Sequence, residues 1–284
     1  MKILILGASG MLGNAMLRVL SENTAHDVRG TVRSSASAAL LPESLRGSLI
    51  MGVDVENLDQ VARMLDQFRP DVVINCIGLI KQNAEADDPL SALPINAMLP
   101  HRLSRLASLI GARLVHFSTD CVFAGTKGGY TEDDQSDAYD LYGRSKYLGE
   151  LHEPHTITVR TSIIGHELAS ARSLIGWFLG QAGSVKGFTR AIFSGLPTVE
   201  IAKIVRDCIL PNKVISGVWH VSADPIAKFD LLQLVAEIYG KQIEIIADDS
   251  LVIDRTLDST RFRLETGYVP PNWPELIRMM RDYR

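Results

Sequence analysis

A run of four aliphatic residues, Ile3 to Leu6, opens directly into Gly7, Ala8, Ser9, Gly10, Met11, Leu12 and Gly13. An apolar run so short, closed at once by glycine, reads as a buried parallel strand rather than a helix. Gly7 opens the turn, Gly10 leaves bare backbone against which a pyrophosphate can lie, and Gly13 lets the next helix pack closely on the strand. Strand, glycine turn and helix in this order make a dinucleotide cradle, with Gly7, Ser9, Gly10, Met11 and Leu12 as candidate cofactor contacts. Packing alone also selects such turns, so the weight falls on the residues further along the chain.

Helical spacing from Met11 to Leu20 is closed by polar residues from Ser21 to Ala25, and a second strand comes next at about Asp27 to Val32. The end of that second strand usually meets the adenosine ribose, where a carboxylate favours a free 2'-hydroxyl. Here the place holds Arg33, followed by Ser34 and Ser35. A guanidinium can pair bidentately with a 2'-phosphate, which favours NADPH, with NADH as the other possibility; the competing reading of Arg33 is a solvated surface charge. Further strands are expected at Leu49 to Val53, delivering Asp54 and Val55, and at Val72 to Asn75, running into Cys76, Ile77 and Gly78. Asp54 is read as an adenine contact, or else as the cap of the helix beginning near Leu58. Asn96 lies between Pro94 and Pro100, so a helix there is expected to start late. The recurring strand, helix and strand with short connections predict an α/β fold with a doubly wound parallel sheet.

The whole-chain numbers exclude several other classes. A length of 284 residues suits one large or two modest domains. The net charge of -4 gives no case for nucleic acid or an anionic membrane as partner. Cys76, Cys121 and Cys208 are widely spaced, which suggests neither a disulfide framework nor a metal cluster and fits a reducing cytoplasm. The histidines show no ligand spacing, so no metal is expected. No apolar stretch is long enough for a bilayer, and the N-terminal run is too short for a signal peptide, so secretion and membrane insertion are not expected.

A strand at Leu114 to Phe117 ends in Ser118, Thr119 and Asp120, and one element later come Tyr142 and Lys146. On a helix these two sit at i and i+4 and project from one face. The Lys146 ammonium is expected to stabilise a phenolate and lower the pKa of Tyr142 toward working pH, while Thr119 bonds the same substrate oxygen. Together they make an acid and an oxyanion clamp for a carbonyl that receives hydride. Tyr-x-x-x-Lys alone says little; its place after the glycine loop and a hydroxyl-bearing strand end gives it meaning. Phe117, Trp177 and Trp219 read as core.

The chain resembles the extended short-chain dehydrogenase/reductase superfamily, and within it the dTDP-4-dehydrorhamnose reductase-like group of nucleotide-sugar ketoreductases. The resemblance rests on Gly7 to Gly13 with its G-x-x-G-x-x-G spacing, Ser118 to Gly125, Tyr130 to Asp134, Leu141 to Lys146 with Gly149 and Glu150, Arg160 to Ser162, and Gly195 to Thr198. It implies an NAD(P)H-dependent reduction of a keto group, at C4 or related, on a nucleotide-activated deoxysugar, as in dTDP-L-rhamnose-type biosynthesis. Thr119, Tyr142 and Lys146 are then catalytic, Tyr142 and Lys146 also touch the cofactor, and Asp120 joins Thr119 in holding substrate. The segment Cys76-Ile77-Gly78-Leu79-Ile80-Lys81-Gln82 departs from the rhamnose enzymes, which leaves the sugar open. A nucleotide-sugar epimerase or dehydratase that retains its cofactor is one alternative, although Cys121 after Asp120 replaces the acid pair a dehydratase wants. A non-catalytic NADP-binding subunit is another, because the same group includes the regulatory subunit of methionine adenosyltransferase. The resemblance also suggests a homodimer.

Beyond Ile163 the pattern loosens. Residues 1–162 and 193–222 are expected to form the dinucleotide-binding domain, with 163–192 and 223–284 as a smaller interleaved substrate lobe. Lys186, Arg190 and Arg255 are candidate partners for the diphosphate of a sugar nucleotide, each also readable as a solvated charge. Val218 to Val221 reads as a core strand returning to the sheet, and the tail from Val269 as an extended segment ending in a short helix.

Overall fold

The computed structural model describes residues 1–80 and 87–284. The strands Lys2–Leu6 (β1), Asp27–Val32 (β2), Leu49–Met51 (β3), Val72–Asn75 (β4), Arg113–Thr119 (β5) and Thr156–Thr161 (β6) share one sheet with the late strand Gly217–His220. All neighbours are parallel, in the order Gly217–His220, β6, β5, β4, β1, β2, β3. The chain therefore winds outward from β1 in one direction and, from β4 onward, in the other. Ligands of open parallel sheets bind at that reversal, outside the carboxyl ends of the strands.

Strand alternation builds a core on each face of the sheet. Ile3 and Ile5 pack with Leu12, Met16 and Leu17 of the helix Met11–Ser21 (α1), whereas Leu4 and Leu6 turn to Leu99, Leu103 and Leu114 on the other side. Burying each such side chain contributes ~1.5–3 kcal/mol, which is why a β1 of only five residues can anchor the sheet. After β6 the chain leaves the large sheet for three small ones. Ile163–Ile164 pairs with Leu196–Pro197, Ser184–Phe188 with Glu244–Asp248, and Ala191–Phe193 lies between Ile226–Ala227 and Ile253–Asp254.

The structure corrects several expectations. β3 stops at Met51, short of Val53, because Gly52 takes a φ of +75°. The helix Leu58–Phe68 is capped by Asn57, whose side chain accepts from the Gln60 N–H, so Asp54 is not its cap. The segment around Asn96 is not a late start: helix begins at Pro89 and continues through a π-helical stretch, Leu93–Met98, into the helix Leu99–Leu109. Pro94 donates no hydrogen bond, and the Leu99 N–H reaches back to the Pro94 carbonyl in the wide π pattern, so the turn absorbs the prolines instead of ending at them. The late core strand ends at His220 rather than Val221. Phe117 and Trp219 are buried as expected, but Trp177 is exposed.

Candidate active site

The glycine loop closes on itself. Gly7 has a φ of +82°, the Gly10 N–H bonds its carbonyl at 3.0 Å, and a Cβ on Gly13 would fall 2.1 Å from that same oxygen. Gly10 caps α1 without a side-chain acceptor, leaving the first-turn N–H groups and the positive end of the helix dipole open to an anion. A dinucleotide pyrophosphate fits this cradle. Ser9 and Met11 are half-buried beside it, while Leu12 turns its side chain into the core.

The other cofactor candidates divide by burial. Arg33 is exposed at the end of β2 and makes no hydrogen bond or ion pair among the described residues; Ser34 after it caps the short helix Ser35–Ala39. Asp54 is exposed, with its carboxylate accepting from the Glu56 N–H, whereas Val55 belongs to the second core. The Cys76 thiol is pushed up by burial. Ile77 touches the site of a Gly7 Cβ at 2.8 Å, and Gly78 lies beside Lys146, whose Nζ would sit 3.7 Å from a Cβ there. The loop after β4 thus joins the glycine turn to the lysine. Lys81 and Gln82, in the departing segment, lie outside the described residues.

The helix Leu141–Leu148 carries Tyr142 and Lys146, and Asp140 caps it by accepting from the Gly143 N–H at 2.7 Å. Any Cβ on Gly143 would lie 2.2 Å from the Cys121 carbonyl, and one on Gly149 would lie 2.0 Å from that of Asn96. Close backbone contact on both sides fixes the helix against the end of β5. Thr119 accepts from the Cys121 N–H and donates to Asp120, both at 3.1 Å. Its hydroxyl is also close enough to the Tyr142 phenol to pull that phenol's pKa down. Lys146, 5% exposed, donates to the Phe117 carbonyl at 2.7 Å. The fold therefore brings Thr119, Tyr142 and Lys146 together at one strand end.

The expected lowering of Tyr142 by Lys146 does not hold. Burial raises the phenol, the Cys121 thiol raises it further, and Thr119 pulls down only in part. Lys146 points at the strand, and burial lowers it to about 8 against the opposing pull of Glu150. The Asp120 carboxyl is raised by desolvation, with Arg255, Thr119, Cys121 and Lys228 acting against that rise.

The three cationic candidates separate. Lys186 is exposed and paired with Asp248 at 2.9 Å, and Arg190 is exposed. Arg255 reaches the turn that follows β5: its Nε donates to the Phe123 carbonyl at 2.7 Å and its guanidinium lies 3.6 Å from Cys121 Sγ.

Two features carry no local signal strong enough to be read from sequence. Asn96 clamps the loop after β4, accepting from the Leu79 N–H at 2.9 Å and donating to its carbonyl at 3.0 Å, with Ser145 Oγ at 3.2 Å. Its one mark is a lone amide between two prolines in an apolar helical stretch. Beneath Thr119, Glu150 accepts from Ser118 at 2.6 Å and from Arg160 at 2.7 and 2.8 Å, and Arg160 meets His220 at 3.2 Å. Among the described residues no group of His, Cys, Asp or Glu is arranged to hold a metal, and no helix is long and apolar enough to cross a membrane.

A doubly wound parallel sheet with a glycine cradle at its reversal, and a Thr, Tyr and Lys gathered at the next strand ends, is the architecture of a short-chain dehydrogenase/reductase. The family described as RmlD substrate binding domain matches residues 1–280, and the chain belongs to it, within the dTDP-4-dehydrorhamnose reductase-like group. A dTDP-4-dehydrorhamnose reductase from Aggregatibacter actinomycetemcomitans is 26% identical over 315 aligned residues, covering 99% of each chain. Methionine adenosyltransferase 2 subunit beta from Mus musculus is 29% identical over 149 residues, 52% of this chain and 41% of that one. The crystal structure of a Bacillus anthracis dTDP-4-dehydrorhamnose reductase in complex with NADP shares the fold, with a TM-score of 0.81 and 21% identity over 100% of this chain and 98% of that one.

Proposed function

We propose that the protein uses NADPH, with NADH as the lesser option, to reduce a keto group, at C4 in the first instance, on a nucleotide-activated deoxysugar of the dTDP-rhamnose kind. The observation that carries this reading is the gathering of Thr119, Tyr142 and a buried Lys146 at the end of β5, with Lys146 in contact with the loop that packs on the glycine turn. NADPH, when bound, supplies the hydride. Tyr142 then gives its phenolic proton to the carbonyl oxygen. Because burial raises the phenol, it stays protonated at neutral pH, the state an acid needs. Thr119 holds the same oxygen, and Lys146, as an ammonium, offsets the charge left on the phenolate.

In this reading residues 1–162 and 193–222 form the dinucleotide-binding domain and 163–192 and 223–284 the substrate lobe; the large sheet draws its strands from within 1–162 and from Gly217–His220, and the helix Thr198–Ile204 packs on α1, although Leu196–Pro197 pairs in a small sheet. In the same reading Asp120 and Arg255 face the sugar, Arg33 takes the 2'-phosphate, and the protein works in the reducing cytoplasm. The dehydratase alternative is weakened at Cys121, whose thiol is pushed up to about 12 by burial and by Asp120, so it cannot serve as a second base.

The test is NADPH absorbance with a panel of dTDP-, UDP- and GDP-linked 4-keto-6-deoxy sugars. Stoichiometric oxidation with one of them is expected. Product without net NADPH loss would move the protein to the isomerase or dehydratase class. Tight NADPH binding with no reaction would favour a regulatory subunit.

A further inference from the structure

His116 sits on β5 one residue before Phe117, whose carbonyl receives Lys146, and it is completely buried. Its hydrogen bonds fix its tautomer. The Ile77 N–H donates to Asn75 Oδ1 at 3.1 Å, so the Asn75 amide must present its nitrogen to His116 Nδ1, 3.2 Å away. Nδ1 is therefore the acceptor and Nε2 carries the proton. Burial and the nearby charges of Lys146 and His101 hold the ring neutral. Yet Nε2 is fully enclosed and has no partner among the described residues. A buried N–H left without an acceptor costs ~1–3 kcal/mol. Lys146 cannot supply the acceptor, since an ammonium only donates.

We propose that His116 is a positioning residue that holds one internal water on its Nε2–H, and that this water accepts a second hydrogen bond from Lys146 Nζ. Two donors that cannot bond each other are both satisfied by one oxygen between them, a common use of internal water. The consequence falls on the lysine: a water dipole aimed at Nζ offsets part of its desolvation and keeps the ammonium present at neutral pH. Of the charged groups around it, Glu150 raises Lys146 against the effect of burial, while on β5 the His116 ring is pushed down by Lys146 and by His101 of the helix Leu99–Leu109. The role of that charge in catalysis rests on the proposed reductase reading, but the hydrogen-bond arrangement does not.

The experiment therefore needs neither cofactor nor sugar. Nitrogen-15 spectra of labelled histidine are expected to show a neutral Nε2–H ring for His116 across the neutral range. The Lys146 titration is followed in carbon-13 lysine spectra, with a Lys146→Met variant to assign the signal. Wild-type Lys146 is expected to titrate near about 8. H116L removes the donor that holds the water and is expected to lower that midpoint by roughly one pH unit, a tenfold change. H116Q, which keeps an N–H donor, is expected to restore most of it. An Nδ1–H ring, an imidazolium, or an H116L midpoint equal to wild type would overturn the proposal. If H116L does not fold, the tautomer spectrum and the H116Q titration decide it: an Nε2–H ring with a near-wild-type midpoint supports the water, and any other ring form refutes it. Failure of the sugar panel leaves all of these readings intact.

Discussion

Lys146 and Lys186 are the same residue type in opposite settings. Lys146 is enclosed between β5 and the loop after β4, donates to a strand carbonyl, and is lowered to about 8 by burial. The Lys186 side chain is 71% exposed on a strand of a small two-stranded sheet and meets Asp248, whose carboxylate is held at about 2 by hydrogen bonds from Ser250 and Lys186. The first lysine is positioned by backbone packing it cannot leave, and the second by a solvated pair that water and salt can replace. The contrast extends to the regions around them. On the strand-end side, glycine contacts and buried hydrogen bonds fix each group; on the small-sheet side, only Arg255 of the three cationic candidates is tied to the turn after β5.

The largest effect is expected on the buried side. Tyr142→Phe should lower turnover by roughly 10²–10⁴-fold while changing NADPH affinity little, because the phenol gives a proton and holds little of the cofactor. Turnover of the variant at the wild-type rate would remove Tyr142 from the proposed role. The same side should be sensitive in stability. Glu150→Ala leaves Arg160 buried without its carboxylate, and an uncompensated charge of this kind costs ~3–5 kcal/mol. Urea unfolding would show it as a lower midpoint at unchanged m-value, and a shift under ~1 kcal/mol would mean water reaches Arg160.

The pH dependence sharpens the comparison further. Lys146 is lowered below its ordinary value, so the ammonium is present below about 8 and lost above it. If the charge serves the reaction, kcat/KM should fall as pH rises through that region, well before the raised Tyr142 phenol can ionise. An alkaline limb that survives unchanged in Lys146→Met would assign it elsewhere.

The strand-end side is also the more legible one. Four aliphatic residues followed by glycine specify a buried strand and a close turn locally, and Tyr142 and Lys146 share a face through helix geometry alone. Thr119 is readable because strand ends collect at one edge of a parallel sheet. What cannot be read depends on groups far apart in the chain. The Ser118–Glu150–Arg160–His220 network links residues up to two sheet crossings apart; Ser118, Glu150 and Arg160 each fall in a motif, but nothing local says that they meet one another or His220. Asn96 defies the expectation of a late helix start because proline usually ends a helix, whereas a π turn lets the chain continue. The direction of the Tyr142 shift departs from expectation for a related reason: i and i+4 spacing places Lys146 near the phenol, but the Phe117 carbonyl competes for its ammonium.

Exposed cations give the smallest expected effects, and Arg33 and Lys186 divide there. Arg33 stands at the end of β2 with no partner among the described residues, so replacing it exposes no buried group and leaves folding unchanged. Its expected effect is on binding: Arg33→Ala should weaken NADPH by about tenfold, the scale of one charge-assisted hydrogen bond, and leave NADH nearly unaffected. Equal losses for the two cofactors would make it a surface charge only. Lys186 already has a partner, so a diphosphate would have to compete with Asp248 for it. Lys186→Ala is expected to leave thermal unfolding unchanged and to raise the KM for a sugar nucleotide by less than about twofold, within the range of an exposed pair. Arg255→Ala should raise that KM more, since its guanidinium lies against Cys121 beside Thr119. If Lys186 proves the more damaging of the two, the diphosphate lies along the small sheet, and the solvated pair with Asp248 opens when substrate binds.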